Sequence, residues 1–191
     1  MQRAFALVVV FGLLGFFSPG PMSAWADDMA HPDYPQRLDT LFAKLHGDIT
    51  PDEVKKTTDL IWLIWAHNSS DDAVETLTEA TKDMQFGQYE LAEKLLGDLI
   101  KRHPDFAEGW NRRATLYYME GRLEASLDDI AHVLDLEPRH FGALSGKGAI
   151  LRAQGKNAEA LKVMKDTFAI NPYVAGLKDA IDQLEKANPE L

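Results

Sequence analysis

Residues 107–140 read AEGWNRRATLYYMEGRLEASLDDIAHVLDLEPRH, and the pattern of this stretch recurs on both sides of it. Glycine and proline return at an interval of 34 residues, at Gly87, Gly121 and Gly155 and at Pro104, Pro138 and Pro172. Small and bulky apolar residues keep the same period, at Ala92, Ser126 and Ala160 and at Leu96, Ile130 and Met164. A period of this length indicates stacked supersecondary units.

Each unit is predicted to hold two antiparallel helices. The glycine ends the first helix in a left-handed conformation that other residues adopt only at a cost, and the proline stops the second helix. The small residue lets the two helices approach closely, and the bulky residue fills the groove between neighbouring units. The sequence therefore predicts an all-α fold.

These residues resemble the tetratricopeptide repeat, whose pattern has an early Trp, a Leu-Gly pair, a Tyr, a small residue, a bulky residue and a Pro. Residues 107–140 match it best, although Arg113 and Ala114 occupy the positions where Leu and Gly are usual. The resemblance implies a right-handed α-solenoid with units at 73–106, 107–140 and 141–174. A capping helix and tail follow at 175–191, where apolar residues form one helical stripe.

A divergent helical pair is predicted at 37–72. Thr50 to Glu53 has the pattern of a capping box, with Pro51 at the first helical position. Shifting by one period aligns Trp62 and Trp65 with core positions of the next unit, so this pair is either a fourth unit or a separate helical hairpin. We expect both tryptophans to be core residues rather than a binding cluster, because aromatic side chains bury large areas.

The N-terminal residues have the pattern of an export signal. Arg3 precedes an uncharged apolar run from Ala4 to Phe17, and Ala24-Trp25-Ala26 fits a signal peptidase site. We expect a signal peptide at 1–26, cleavage after Ala26, a loose leader at 27–36 and a periplasmic or secreted bacterial protein. An uncleaved anchor is the alternative, but the run is shorter than the roughly 20 residues of a spanning helix.

The composition excludes several classes of function. The chain has no cysteine, and its net charge of -10 disfavours nucleic acid. No second apolar segment approaches the length of a spanning helix, so membrane insertion after cleavage is not expected. The six histidines lack zinc-binding spacing, and no serine lies in a nucleophile motif. We therefore expect no catalytic residue, no metal, no cofactor and no enzymatic activity.

The resemblance implies that the first helices of the units form a concave wall that binds a protein or peptide. By matching to the family pattern, this wall would carry Leu77, Thr81, Met84, Glu108, Asn111, Arg112, Thr115, Tyr118, Met119, Ser145, Ala149 and Arg152. Arg112 and Arg152 would grip an acidic or carboxylate-terminated peptide, with Arg139-His140 adding to a basic edge. The alternative is that these arginines pair with nearby acids such as Glu108 or Glu120.

Two functions fit this architecture. The first is a protein–protein interaction adaptor or chaperone-like scaffold of the bacterial cell envelope, which binds a partner's peptide or helix in the groove. The alternative is a structural subunit of an envelope or secretion assembly that packs through its edges or convex face. Repeats of this kind serve many processes, so the fold alone does not choose between them.

Overall fold

The computed structural model of the chain describes residues 33–67 and 70–190, so the predicted signal peptide lies outside the described part. Within those two ranges there are nine α-helices and no strand, which confirms the predicted all-α repeat fold. The helices are α1 Tyr34–Leu45, α2 Pro51–Ala66, α3 Asp71–Gln85, α4 Tyr89–Arg102, α5 Ala107–Met119, α6 Leu123–Leu136, α7 Phe141–Ala153, α8 Asn157–Ile170 and α9 Leu177–Ala187.

The glycines and prolines end the helices as the sequence predicts. Gly87, Gly121 and Gly155 have φ angles of 73°, 76° and 75°, in the left-handed region that a glycine adopts without a steric cost. Each glycine separates the two helices of a pair. The second helices α4, α6 and α8 each end two residues before a proline of the periodic series. The repeat therefore extends through three helix pairs, α3 to α8.

The pairs stack through a continuous apolar core. Each first helix packs against its own second helix, α4 also packs against α5, and α6 against α7. The small residues of the series are buried, since Ala92, Ser126 and Ala160 are at most 1% exposed. Helix α9 contributes Leu177 and Ile181 to the core of the last pair, so this helix covers the C-terminal end of the array.

An ion pair replaces the apolar contact expected at the position where the family pattern has leucine. Arg113 donates to both carboxylate oxygens of Asp129, with Nε to Oδ2 at 2.7 Å and Nη2 to Oδ1 at 2.8 Å. The guanidinium also lies 5.2 Å from the ring centroid of Trp110 and 5.5 Å from that of Tyr117. The hydrogen bond that Arg113 donates to Asp129 raises the pKa of Arg113, and burial opposes this rise. This pair links α5 to α6.

Helices α1 and α2 form an antiparallel hairpin that does not continue the stack. Among the described residues, α2 does not pack on α3 as α4 packs on α5; it contacts α5 instead. Its apolar residues form a cluster with Phe141, Ile170 and Val174, far along the chain. The interpretation of 37–72 as a stacked fourth unit therefore does not describe this arrangement.

Helix α3 has an exposed charged face, and none of the helices described in 33–67 and 70–190 stacks before it. Glu75, Glu79 and Lys82 are exposed on this helix, and burying such charged groups against an apolar helix would be costly. The predicted capping box at the start of α2 is confirmed, with Glu53 accepting from the Thr50 backbone at 2.9 Å. Helix α1 begins at Tyr34, inside the predicted leader, because Pro35 fits the first turn of a helix.

Candidate partner-binding surface

The hairpin lies on the side of the array formed by the first helices, which is the predicted concave wall. Trp62 and Trp65, one helical turn apart on α2, both cover the start of α7. The Trp65 ring stacks on His140 with centroids 4.2 Å apart and planes at 17°. Trp62 meets the same imidazole edge to face at 5.4 Å, and both indoles lie within about 5 Å of Phe141, at 5.2 Å and 4.9 Å.

Beneath the tryptophans lies a buried polar cluster, which consists of Glu108, Asn111, Arg112 and His140. Glu108 is 1% exposed and His140 is completely buried. The Glu108 carboxylate accepts from Asn111 Nδ2 at 2.7 Å, from Arg112 at 3.3 Å and from His140 Nε2 at 3.3 Å. His140 Nδ1 accepts a hydrogen bond from the backbone N–H of Ala143 at 3.1 Å. The ring proton is therefore on Nε2, which donates a hydrogen bond to the Glu108 carboxylate.

The cluster keeps a charged carboxylate away from water. Burial raises the pKa of Glu108, but the hydrogen bond from His140 and the charge of Arg112 outweigh it, so the net pKa lies below the usual 4.5. Glu108 is therefore ionised at neutral pH despite its burial. A buried carboxylate of this kind is stable only while its partners remain in place.

Polar contacts lie at both outer edges of the hairpin. Arg139 pairs with Asp39 of α1 at 2.6 Å, and its guanidinium lies 4.6 Å from the centroid of the Phe42 ring. At the other end, His46 Nε2 lies 2.7 Å from the backbone oxygen of Ala169, near the end of α8. The hairpin therefore contacts two successive units, through α5 in the first and through the start of α7 and the end of α8 in the second.

Comparison with known proteins places this architecture in a family. Residues 77–133 match the sequence profile of the tetratricopeptide repeat. A TPR repeat-containing protein of Rhizobium etli is 35% identical over 192 aligned residues, which cover 96% of this chain and 94% of that protein. The chain belongs to the tetratricopeptide repeat family.

Two further relatives match this chain over a smaller part of their own length. The DnaJ homolog subfamily C member 3 of Rattus norvegicus is 30% identical over 58% of this chain and 23% of its own length. The Hsp70-Hsp90 organizing protein 3 of Arabidopsis thaliana is 23% identical over 82% of this chain and 30% of its own length. The chain spans less than a third of either protein.

The predicted concave wall, formed by the first helices, is only partly accessible in this structure. Six of the twelve predicted wall residues are buried, and the other six are partly or fully exposed. The buried ones are Leu77, Met84, Glu108, Asn111, Thr115 and Ser145. Two of these belong to the polar cluster, and Leu77 and Met84 belong to the core of the first repeat pair. The accessible ones are Thr81, Arg112, Tyr118, Met119, Ala149 and Arg152.

The basic edge expected from the sequence is largely neutralised. Arg112 pairs with Glu108, as the alternative interpretation has it, and its side chain is only 14% exposed. Arg139 pairs with Asp39 and Glu137, and His140 is buried, so Arg139-His140 does not form an open basic edge. Arg152 is exposed. Since two of the three arginines are engaged, the wall is less positive than the sequence suggests.

From the sequence, His140 was expected at a basic edge and Trp62 and Trp65 in the core, so their common surface with Phe141 was not predicted, although the sequence carries a signal for it. Residues 60–66 of α2 are apolar without interruption, and a helix that is apolar all round is buried on more than one face. One face of α2 packs on α1, so a second apolar face requires another surface. Trp65 is buried as expected, whereas Trp62 is half-buried.

Two further properties concern the described residues. Neither 33–67 nor 70–190 contains a helix with both the length and the apolar composition needed to cross a bilayer. The same two ranges hold no group of three or more His, Cys, Asp or Glu side chains placed to bind a metal ion.

Proposed function

We propose that this tetratricopeptide protein is a protein–protein interaction scaffold that binds a polypeptide segment of its partner along the first-helix wall. One observation carries the proposal: the wall already holds a helix, because α2 lies on α5 and on the start of α7. The similarity to the Hsp70-Hsp90 organizing protein 3 also supports the proposal, because that protein is named for organizing other proteins. The DnaJ homolog is the second relative that we take into account. The chain acts through binding rather than catalysis.

The part of the wall beyond the hairpin offers the first contacts to a partner. Tyr118, Met119 and Ala149 are half-buried near the C-terminal ends of α5 and α7, and Arg152 is exposed. Tyrosine and methionine suit such a surface because they present large apolar area. The preference for an acidic or carboxylate-terminated peptide now depends on Arg152, since Arg112 is paired with Glu108.

The proposed location is the bacterial periplasm. The apolar run from Ala4 to Phe17 and the small residues before Asp27 support it. N-terminal sequencing of the protein from the periplasmic fraction should give Asp27-Asp28 as the first residues. A protein that starts at Met1 and remains with the cytoplasmic fraction would exclude this location.

Photocrosslinking tests where the partner binds. A photoreactive amino acid replaces Arg152 on the wall, and in a matched variant it replaces Ala131, which is exposed on the second helix α6. A scaffold that uses its wall should give an adduct with the partner from position 152 and none from position 131. Adducts from position 131 alone would instead favour the structural subunit, which packs through its convex face.

A further inference from the structure

The hairpin occupies the first-helix wall without being needed to close the repeat array. The C-terminal end of the array is covered by α9, and the other end presents the charged face of α3 with Glu75, Glu79 and Lys82. A solenoid requires polar or capped ends for solubility. This array has one capped end and one polar end even without the hairpin. The hairpin therefore has a role other than capping.

The hairpin covers the wall in the way that a helical ligand does. Helix α2 presents Trp62 and Trp65 one turn apart, and these two side chains meet His140 and Phe141. Helix-in-groove recognition uses anchors spaced by three or four residues along one face. Aromatic anchors over a partly polar surface are also typical of interfaces between separate proteins.

The fit of the hairpin leaves two weak points. The indole N–H of Trp65 is buried and has no acceptor among the described residues, and an unmet buried donor weakens an interface. The pair between Asp39 and Arg139 is accessible to water, since the two side chains are 69% and 35% exposed, so it contributes little. A helix without these defects would occupy the surface more tightly than α2.

We infer that α2 is a built-in occupant of the partner site, and that the partner is an amphipathic helix with two aromatic anchors one turn apart. This helix displaces the hairpin and docks over His140 and Phe141. The inference rests on the proposed function and adds the chemistry of the partner. Because α2 competes within the same chain, the apparent affinity for the partner equals the intrinsic affinity multiplied by the fraction of open molecules.

A synthetic peptide of residues 51–67 serves as the probe, since it carries the chemistry of α2. A second peptide with Trp62→Ala and Trp65→Ala is the matched control. The protein is the full chain with Asp39→Cys and Arg139→Cys, and because the sequence has no other cysteine, a short bismaleimide joins only these two positions. The same variant with both thiols blocked by a monofunctional maleimide is the open reference.

Fluorescence anisotropy of the labelled probe gives the affinities. We expect the blocked protein to bind the probe and the crosslinked protein to bind it at least about tenfold more weakly, because the crosslink holds the hairpin on the wall. Trp65→Ala in the otherwise native chain should raise the affinity for the probe at least about tenfold over the native chain. Circular dichroism verifies that each form is helical.

Two results would overturn the inference. Equal probe affinity in the crosslinked and blocked proteins would show that the probe binds elsewhere. No preference for the probe over its alanine control in any form would show that the tryptophans are not anchors. Neither result affects the proposed function, which is tested separately by photocrosslinking from position 152. The proposed function fails only if that position gives no adduct with a partner.

Discussion

Replacing Trp65 by alanine should release the hairpin while the repeat pairs remain folded. Trp65 is 7% exposed, and a tryptophan buries roughly 200 Å², which corresponds to about 5 kcal/mol at about 25 cal/mol per Å². The substitution also removes the buried indole N–H that lacks an acceptor among the described residues, which offsets roughly 1–3 kcal/mol. The net loss is about 3 kcal/mol, which increases the opening of the hairpin on the order of a hundredfold.

Native-state hydrogen exchange with mass spectrometry measures this opening segment by segment. Amides of α1 and α2 should exchange on the order of a hundredfold faster in Trp65→Ala, whereas amides of α3 and α4 should keep their protection. Trp110→Ala is the matched control: its indole stacks on His132 and donates to the Pro104 carbonyl, all away from the hairpin. This control should lower protection in α5 and α6 first.

Either of two outcomes would refute this reasoning. Unchanged exchange in α1 and α2 would mean that Trp65 does not hold the hairpin on the wall. An equal loss of protection across the hairpin and all three repeat pairs would mean that the hairpin and the array unfold as one cooperative unit, and the hairpin would then be part of the core.

Three further predictions concern stability, each measured by urea unfolding. Asp129→Ala should lower the free energy of unfolding by about 3 kcal/mol because it leaves Arg113 without its carboxylate, and the double substitution Arg113→Leu with Asp129→Leu should recover most of this loss; a double variant as unstable as the single one would contradict this. The pKa of Glu108 lies below the usual 4.5, so its contribution to stability is complete above that pH and is lost as the pH falls through the folded-state pKa. The stability difference between the native chain and Glu108→Gln should therefore shrink from about pH 6 to about pH 3, and a constant difference would exclude ionised Glu108 as its source. Gly121→Ala should cost about 1 kcal/mol through its φ of 76° alone, since the space around an added Cβ is open, whereas Ala114→Gly at a buried helical position serves as a control that does not involve positive φ.

The helix pairs were predictable because their signals are local. Gly121 sets a backbone angle within its own turn, and Pro138 ends a helix through its own ring, so each residue reports on its immediate surroundings. The capping box at Thr50 and Glu53 spans only three residues and was predicted correctly for the same reason. Repetition at one period then gave the order of stacking.

The place of the hairpin was not predictable from the same signals. Phe42 and Phe141 meet with ring centroids 6.5 Å apart, although they are far apart in sequence and belong to no common repeat. The family pattern indicates which residues face the wall, but it does not indicate what covers them. Glu108 was therefore assigned to an open groove, and the structure buries it with His140.

The ion pair between Arg113 and Asp129 lies between these two cases. The sequence shows an arginine where the family pattern has leucine, which marks the position as unusual. It does not name the acid that compensates, because Asp128 and Asp129 are adjacent and only their orientation on α6 distinguishes them. The structure buries Asp129 and leaves Asp128 exposed.

The hairpin also sets an order of events during synthesis. Asp39 leaves the ribosome long before Arg139, its ion-pair partner, which follows 100 residues later. His140, which covers Trp65, follows it by 75 residues. At about 5–20 residues per second, the tryptophan-bearing helix therefore waits roughly 4–15 seconds for the surface that will cover it. During that interval the nascent chain carries an aromatic helix whose covering surface in its own sequence is not yet made.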